Sequence, residues 1–104
     1  MTGDRGGQGG LSRIREILQE NKDELGRIYK VKSLGLFGSY VKGEEVDASD
    51  IDILVEFHEN PGLLEFIALE YHLSELIGVK VDLVMKDALK PAIGERILRE
   101  VLPI

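Results

Sequence analysis

The apolar residues of this chain fall into periodic stretches and short compact runs, and the two kinds alternate. Ile14, Ile17, Leu18, Leu25 and Ile28 recur at near-helical spacing, which predicts a helix with one core-facing stripe running to about Tyr29. Ser12 stands where its N-cap is expected. Asn21-Lys22-Asp23 interrupts the stripe and leaves room for two helices with a joint there. Residues 31–37 then form a compact apolar run that ends at Gly38-Ser39, and 50 to about 57 form another. Each is bounded by turn residues, as a short buried strand is. A helical turn ending near Gly43 and a polar loop over 44–49 are expected between them. The spacer must bring the end of the first strand beside the start of the second, so this pair is expected to be antiparallel.

Glu59-Asn60-Pro61-Gly62 reads as a turn. Over 63–77, apolar residues occupy nearly every side of a helical projection (Leu63, Leu64, Phe66, Ile67, Ala68, Leu69, Tyr71, Leu73, Leu76, Ile77). A helix hydrophobic almost all round is buried on more than one face. One face can pack on the sheet; the other is either sandwiched within the domain or meets a partner chain or a second copy. Gly78 ends this helix, and a third strand over 79–85 is reached by a helical crossover, which favours parallel pairing. Lys90-Pro91 opens a last helix with proline at its favoured first position. Its stripe comprises Ala92, Ile93, Ile97, Leu98, Val101 and Leu102, and its wet face Glu95, Arg96, Arg99 and Glu100. The fold class is α/β: a small mixed sheet of at least three strands with helices packed against it, in a single domain over 11–104. Residues 1–10 are half glycine and carry no apolar residue after Met1, so they are expected to be a disordered tail.

Composition narrows the function. A chain of 104 residues suits one core and no separate substrate domain. With no cysteine there is neither a disulfide framework nor a thiolate metal site. No apolar run approaches a membrane span and no signal-peptide core is visible, so a cytoplasmic protein is expected. The net charge of −6 comes without a dense basic patch, which disfavours a nucleic-acid partner. A protein or a small molecule is the expected acceptor of any chemistry.

The chemistry gathers at the strand ends. Asp50 and Asp52 lie two apart in an extended segment and project from one face. Carboxylates that close repel each other unless a proton or cation lies between them, and hard divalent cations take one or two such groups and fill the shell with water and phosphate oxygens. Gly38-Ser39 is the complementary half: glycine permits close backbone approach to a phosphate, and a hydroxyl with free N–H groups can bind it. Alone, Gly-Ser is an ordinary turn and Asp-x-Asp an ordinary solvated strand edge. Spaced ten residues apart, the two arise together by chance in about one chain in a thousand of this length. Asp82, among apolar neighbours, is expensive to bury without a partner, and strand alternation allows it to face the same way as Asp50 and Asp52. His58 and His72 fall in no motif and are assigned no ligand role.

Phe37-Gly38-Ser39-Tyr40, Lys42-Gly43-Glu44 and Ser49-Asp50-Ile51-Asp52-Ile53-Leu54-Val55 together resemble the signature of the DNA-polymerase-beta-type nucleotidyltransferases. The similarity is to their minimal (MNT) branch. Lys42 stands where the family often has arginine; it keeps the charge and loses bidentate phosphate geometry. The resemblance implies nucleotidyl transfer with two Mg²⁺ ions held by Asp50, Asp52 and Asp82, Asp82 matching the family's third carboxylate. It implies ATP as co-substrate, its phosphates gripped by Gly38, Ser39 and Lys42. It further implies an antitoxin that silences a cognate HEPN ribonuclease toxin by moving AMP to one of its tyrosines; the apolar 63–77 helix, on its own residues a candidate homo- or hetero-oligomer contact, fits a protein partner. Two other readings stand beside it: transfer to a small-molecule hydroxyl with a partner chain closing the pocket, and a non-catalytic antitoxin acting by contact.

Overall fold

A computed structural model describes residues 6–38 and 50–104. The elements run α1 (Gly6–Tyr29), β1 (Val31–Phe37), β2 (Ile51–Phe57), α2 (Leu63–Ile77), β3 (Val81–Met85), α3 (Pro91–Glu100) and β4 (Leu102–Pro103), with a 3-10 turn at Lys86–Ala88. The strands form one mixed sheet in the order β3-β2-β1-β4. β1 and β2 are antiparallel, as the short spacer required, and β3 joins β2 in parallel through the α2 crossover. The expected turn to Gly43 and loop 44–49 lie outside the described residues, as do residues 1–5.

Alternation along the strands gives the sheet two unlike faces. On one, Leu34, Leu36, Ile51, Ile53, Val55, Val81 and Leu83 meet Ile14, Leu18 and Leu25 of α1 and Leu69, Leu73 and Ile77 of α2 in a single core. Removing that apolar surface from water is the main force holding the helices to the sheet. The other face carries Asp52 and Asp82 at one end. Next along it Leu54 and Gly35 lie under the chain's last segment, where a Cβ on Gly35 would run into the Val101 side chain.

Three expectations about the helices are corrected. α1 is continuous through Asn21-Lys22-Asp23. There the Asn21 amide donates to the Ile17 carbonyl at 2.8 Å and the Lys22 ammonium to the Ile104 carbonyl at 2.9 Å, so these part-buried polar groups are satisfied without breaking the backbone ladder. α1 also begins at Gly6, inside the stretch expected to be a tail, and Ser12 is an interior residue rather than a cap. Leu11 packs on the core, and a helix already nucleated there extends upstream one hydrogen bond per residue. Finally, α3 stops at Glu100, and Leu102–Pro103 pairs with β1 instead of extending the stripe. Proline cannot donate to the helical ladder and pushes the residue before it out of helical conformation; on an edge strand it is tolerated. In α3 the residue turned inward is Gly94, close to Leu89, while Ile93 and Leu98 remain about half exposed.

Gly78 ends α2 in the left-handed conformation at φ 82°, its N–H bonded to the Ser74 carbonyl. A Cβ there would meet nothing within 4 Å, so the substitution tests backbone strain alone. Gly78→Ala is expected to lower stability by about 1 kcal/mol in urea titration; an unchanged midpoint would mean the cap relaxes freely. Among the described residues, no helix is long and apolar enough to cross a membrane.

Candidate active site

Asp50 immediately precedes β2, Asp52 is its second residue and Asp82 is the second residue of β3. The parallel register sets Asp52 directly beside Asp82, and the antiparallel register sets Phe37 on the other side of Asp52. Asp52 is thus the centre of a row across three strands, with Gly38 just beyond the end of β1. Asp50 lies 3.9 Å from the Lys80 ammonium, and the N–H of Ile51, between the two aspartates, donates to the Lys80 carbonyl at 3.0 Å. Asp82 was expected to be buried among apolar neighbours. It is exposed, because Val81 and Leu83 turn into the core and leave it on the open face of an edge strand.

Electrostatics reports how tightly these groups are gathered. Burial raises the Asp52 carboxyl above its ordinary value, and the carboxylates of Asp82 and Asp50 raise it further. Among the described residues no cation pairs with Asp52 or Asp82. Like charges set opposite each other on adjacent strands destabilise a sheet, so the row costs the fold and offers a concentrated negative field toward the open face. Gly38 adds a steric requirement: it sits at φ 85°, and a Cβ on it would collide with the Asp52 carboxylate. Glycine is needed there for conformation and for room.

Ser39 and Lys42, the other expected phosphate ligands, lie outside the described residues. Among the described residues no three His, Cys, Asp or Glu side chains form a group able to hold a metal unaided. A hard cation does not need such a cage: one or two carboxylates, with water and nucleotide phosphates, complete the shell of Mg²⁺. A half-buried carboxylate crowded by two others and free of a counter-charge fits that demand.

Three polar side chains of the sheet and its covering helix escaped the sequence reading. Glu56 lies further along the same open face, where it accepts from the Ser33 hydroxyl at 3.1 Å and sits 3.7 Å from Lys86 and 3.8 Å from Lys32. The Ser33 bond chiefly holds its carboxyl below the ordinary value, against a smaller opposing effect of burial. Glu70 and Ser74 of α2 bond the backbone of β3: the Leu83 N–H donates to Glu70 Oε2 and the Val81 N–H to Ser74 Oγ, each at 3.0 Å. Thirteen and seven residues separate these partners, so no local pattern announces them. His72, assigned no role, packs edge-on to Tyr29 with ring centroids 5.7 Å apart.

Comparison with known proteins accords with this geometry. The family model described as a nucleotidyltransferase domain matches residues 11–102. The protein adenylyltransferase MntA of Thermococcus cleftensis is 51% identical over 92 residues, covering 88% of this chain and 93% of that relative. Among solved structures, a chain proposed as a minimal nucleotidyltransferase superposes with a TM-score of 0.73 at 31% identity, over 96% of this chain and 97% of that one. A chain of a toxin–antitoxin complex solved with AMP-PNP superposes with a TM-score of 0.66 at 25% identity, over 88% of this chain and 69% of that one. The mixed sheet, the row of aspartates beside Gly38 and the match over nearly the whole chain place it in one family: it is a nucleotidyltransferase of the minimal, MNT branch of the DNA-polymerase-beta-type superfamily.

Proposed function

We propose that this chain is a metal-dependent antitoxin that transfers AMP from ATP to a tyrosine hydroxyl of a cognate HEPN-type toxin. The observation that carries the reading is the register that sets Asp52 beside Asp82, with Gly38 against the Asp52 carboxylate. The naming of a 51%-identical relative as a protein adenylyltransferase supports the reaction. A 25%-identical chain in a toxin–antitoxin complex with AMP-PNP supports the nucleotide and the kind of partner.

In this reading Asp50, Asp52 and Asp82 would hold two Mg²⁺ ions, and Gly38, Ser39 and Lys42 would grip the nucleotide's phosphates. When bound, the metal supplies positive charge against the α-phosphate and the departing pyrophosphate. The remaining work belongs to the chain's own groups. Gly38 lets the backbone approach the phosphates, and Asp52, at the centre of the row, would hold the cation against which the reacting phosphate is placed at the open face. The tyrosine oxygen attacks the α-phosphorus and the bond to pyrophosphate breaks. Asp82, exposed on the acceptor side, takes the hydroxyl proton as the ester forms. The rate comes from positioning and preorganised charge.

The deciding experiment is mass spectrometry of the purified HEPN partner after incubation with this protein, ATP and Mg²⁺. Added AMP on a tyrosine is expected; an unmodified but silenced partner would favour neutralisation by contact, and an unmodified active partner would overturn both.

Docking is assigned to α2, whose inner stripe is buried while Leu64, Ile67 and Tyr71 are 81%, 49% and 70% exposed. These three fall at helical spacing on one side, an apolar stripe of the kind that marks an interaction surface. Charge on that stripe should break assembly and spare the fold. Ile67→Lys with Tyr71→Lys is expected to weaken partner binding at least about tenfold in calorimetry with the melting temperature unchanged; undiminished binding would place the interface elsewhere.

A further inference from the structure

β3 is an edge strand, so one side of its backbone has no neighbouring strand. On that side the N–H groups of Val81 and Leu83, which flank Asp82, are both taken by α2. Val81 donates to Ser74 Oγ and Leu83 to Glu70 Oε2, each at 3.0 Å, and the Ser74 hydroxyl donates onward to the Glu70 carbonyl at 2.9 Å. The residue between the two pinned amides is Asp82. Both flanks of that carboxylate are therefore tied to one turn of one helix, while its own position in the register is beside Asp52. A carboxylate acceptor makes the Leu83 bond stronger than a neutral pair would be. Covering a sheet edge to prevent stray pairing would account for a helix lying there; it does not require two side-chain acceptors bracketing the one ionisable residue of the strand.

We infer that Glu70 and Ser74 are positioning residues for Asp82. By pinning Val81 and Leu83 they hold a five-residue strand level with β2, so that the Asp82 carboxylate stays beside Asp52 when the acceptor arrives. Without the pins β3 keeps its bonds to β2 but tilts and frays at the free edge, and Asp82 moves with it. Displacements near 1 Å in a catalytic constellation cost about a hundredfold in the limit, and a loosened strand samples the correct position part of the time. The inference rests on the proposed role of Asp82 in AMP transfer.

The test measures AMP transfer to the HEPN partner by the full chain with labelled ATP, together with amide hydrogen exchange at Val81 and Leu83. Glu70→Ala is expected to lower kcat about tenfold with the KM for ATP within about twofold, and to speed exchange at Leu83. Glu70→Gln, which keeps an acceptor oxygen at the same reach, should restore most of both. Ser74→Ala, which leaves Glu70 in place, should lower kcat about threefold and speed exchange at Val81; it supplies the answer if Glu70→Ala does not fold. In an Asp82→Asn background, Glu70→Ala should cause no further loss, since the residue it positions no longer acts. A Glu70→Ala protein with faster exchange and unchanged kcat overturns the inference, as does an equal loss in the Asp82→Asn background. Absence of transfer by the unmodified protein overturns the proposed function, and this inference with it.

Discussion

Asp82→Asn is expected to lower AMP transfer at least about a hundredfold while weakening nucleotide binding much less and partner binding hardly at all. Asparagine keeps the size and part of the hydrogen bonding of aspartate but removes the charge and the site for the proton. Transfer depends on that charge when the phosphoryl group passes between oxygens, far more than when ATP merely sits in place. The exposure of Asp82 makes the comparison clean: its side chain supports no core packing, and no cation among the described residues pairs with it. Labelled-AMP transfer and partner affinity, measured on the same purified proteins, should separate. If the variant neutralises the partner fully while transferring no AMP, neutralisation is by contact. If it transfers at the unmodified rate, Asp82 is a structural carboxylate and the three-aspartate site is wrong.

The double substitution Asp50→Asn with Asp52→Asn should abolish Mg²⁺-dependent ATP binding and leave the metal-free domain at least as stable as before. Binding is lost because both neutral amides are poor ligands for a hard cation. The stability result follows from the sign of the Asp52 shift. Burial, then Asp82, then Asp50 raise its carboxyl in the folded state, so the folded chain holds that proton more tightly than the unfolded one. The associated stability is present below the ordinary carboxylate value and is lost as the pH rises through the raised folded value. Asp52→Asn removes that loss. The melting temperature of the variant relative to the unmodified protein should therefore climb as pH rises from the ordinary carboxylate range toward neutrality, and the difference should vanish at strongly acidic pH. Glu56 runs the other way: with its carboxyl held low chiefly by Ser33, its contribution is present above the ordinary value and lost as pH falls through the lowered one. Unchanged Mg·ATP affinity by calorimetry in the double variant would remove both aspartates from the site.

The sequence by itself determined the strands and helices wherever burial of one face imposes a period. β1 ends where Phe37 gives way to Gly38, α2 spans Leu63–Ile77 up to its glycine cap, and α3 opens at Pro91. The spaced Gly-Ser and Asp-x-Asp pair was legible for the same reason: its parts lie on one local segment, and extended geometry alone sends Asp50 and Asp52 the same way. Even the antiparallel pairing of β1 with β2 followed from a spacer too short for any other return.

Tertiary structure decided what depends on which elements become neighbours. That Asp82 stands beside Asp52 is a matter of β3 choosing β2 across a crossover helix, and that it is exposed follows from β3 being the edge. Leu102–Pro103 looked like the tail of a helical stripe because periodicity does not see that β1 has an unfilled edge to pair with; Pro103 held the local hint. Which side of α2 stays bare, with Leu64, Ile67 and Tyr71 outward, was undecidable from a projection apolar all round. The pins from Glu70 and Ser74 to the two amides around Asp82 had no signature at all. A hydrogen bond between a helix side chain and a strand backbone depends on how two elements dock, and residue order records only the contacts that the local chain makes with itself.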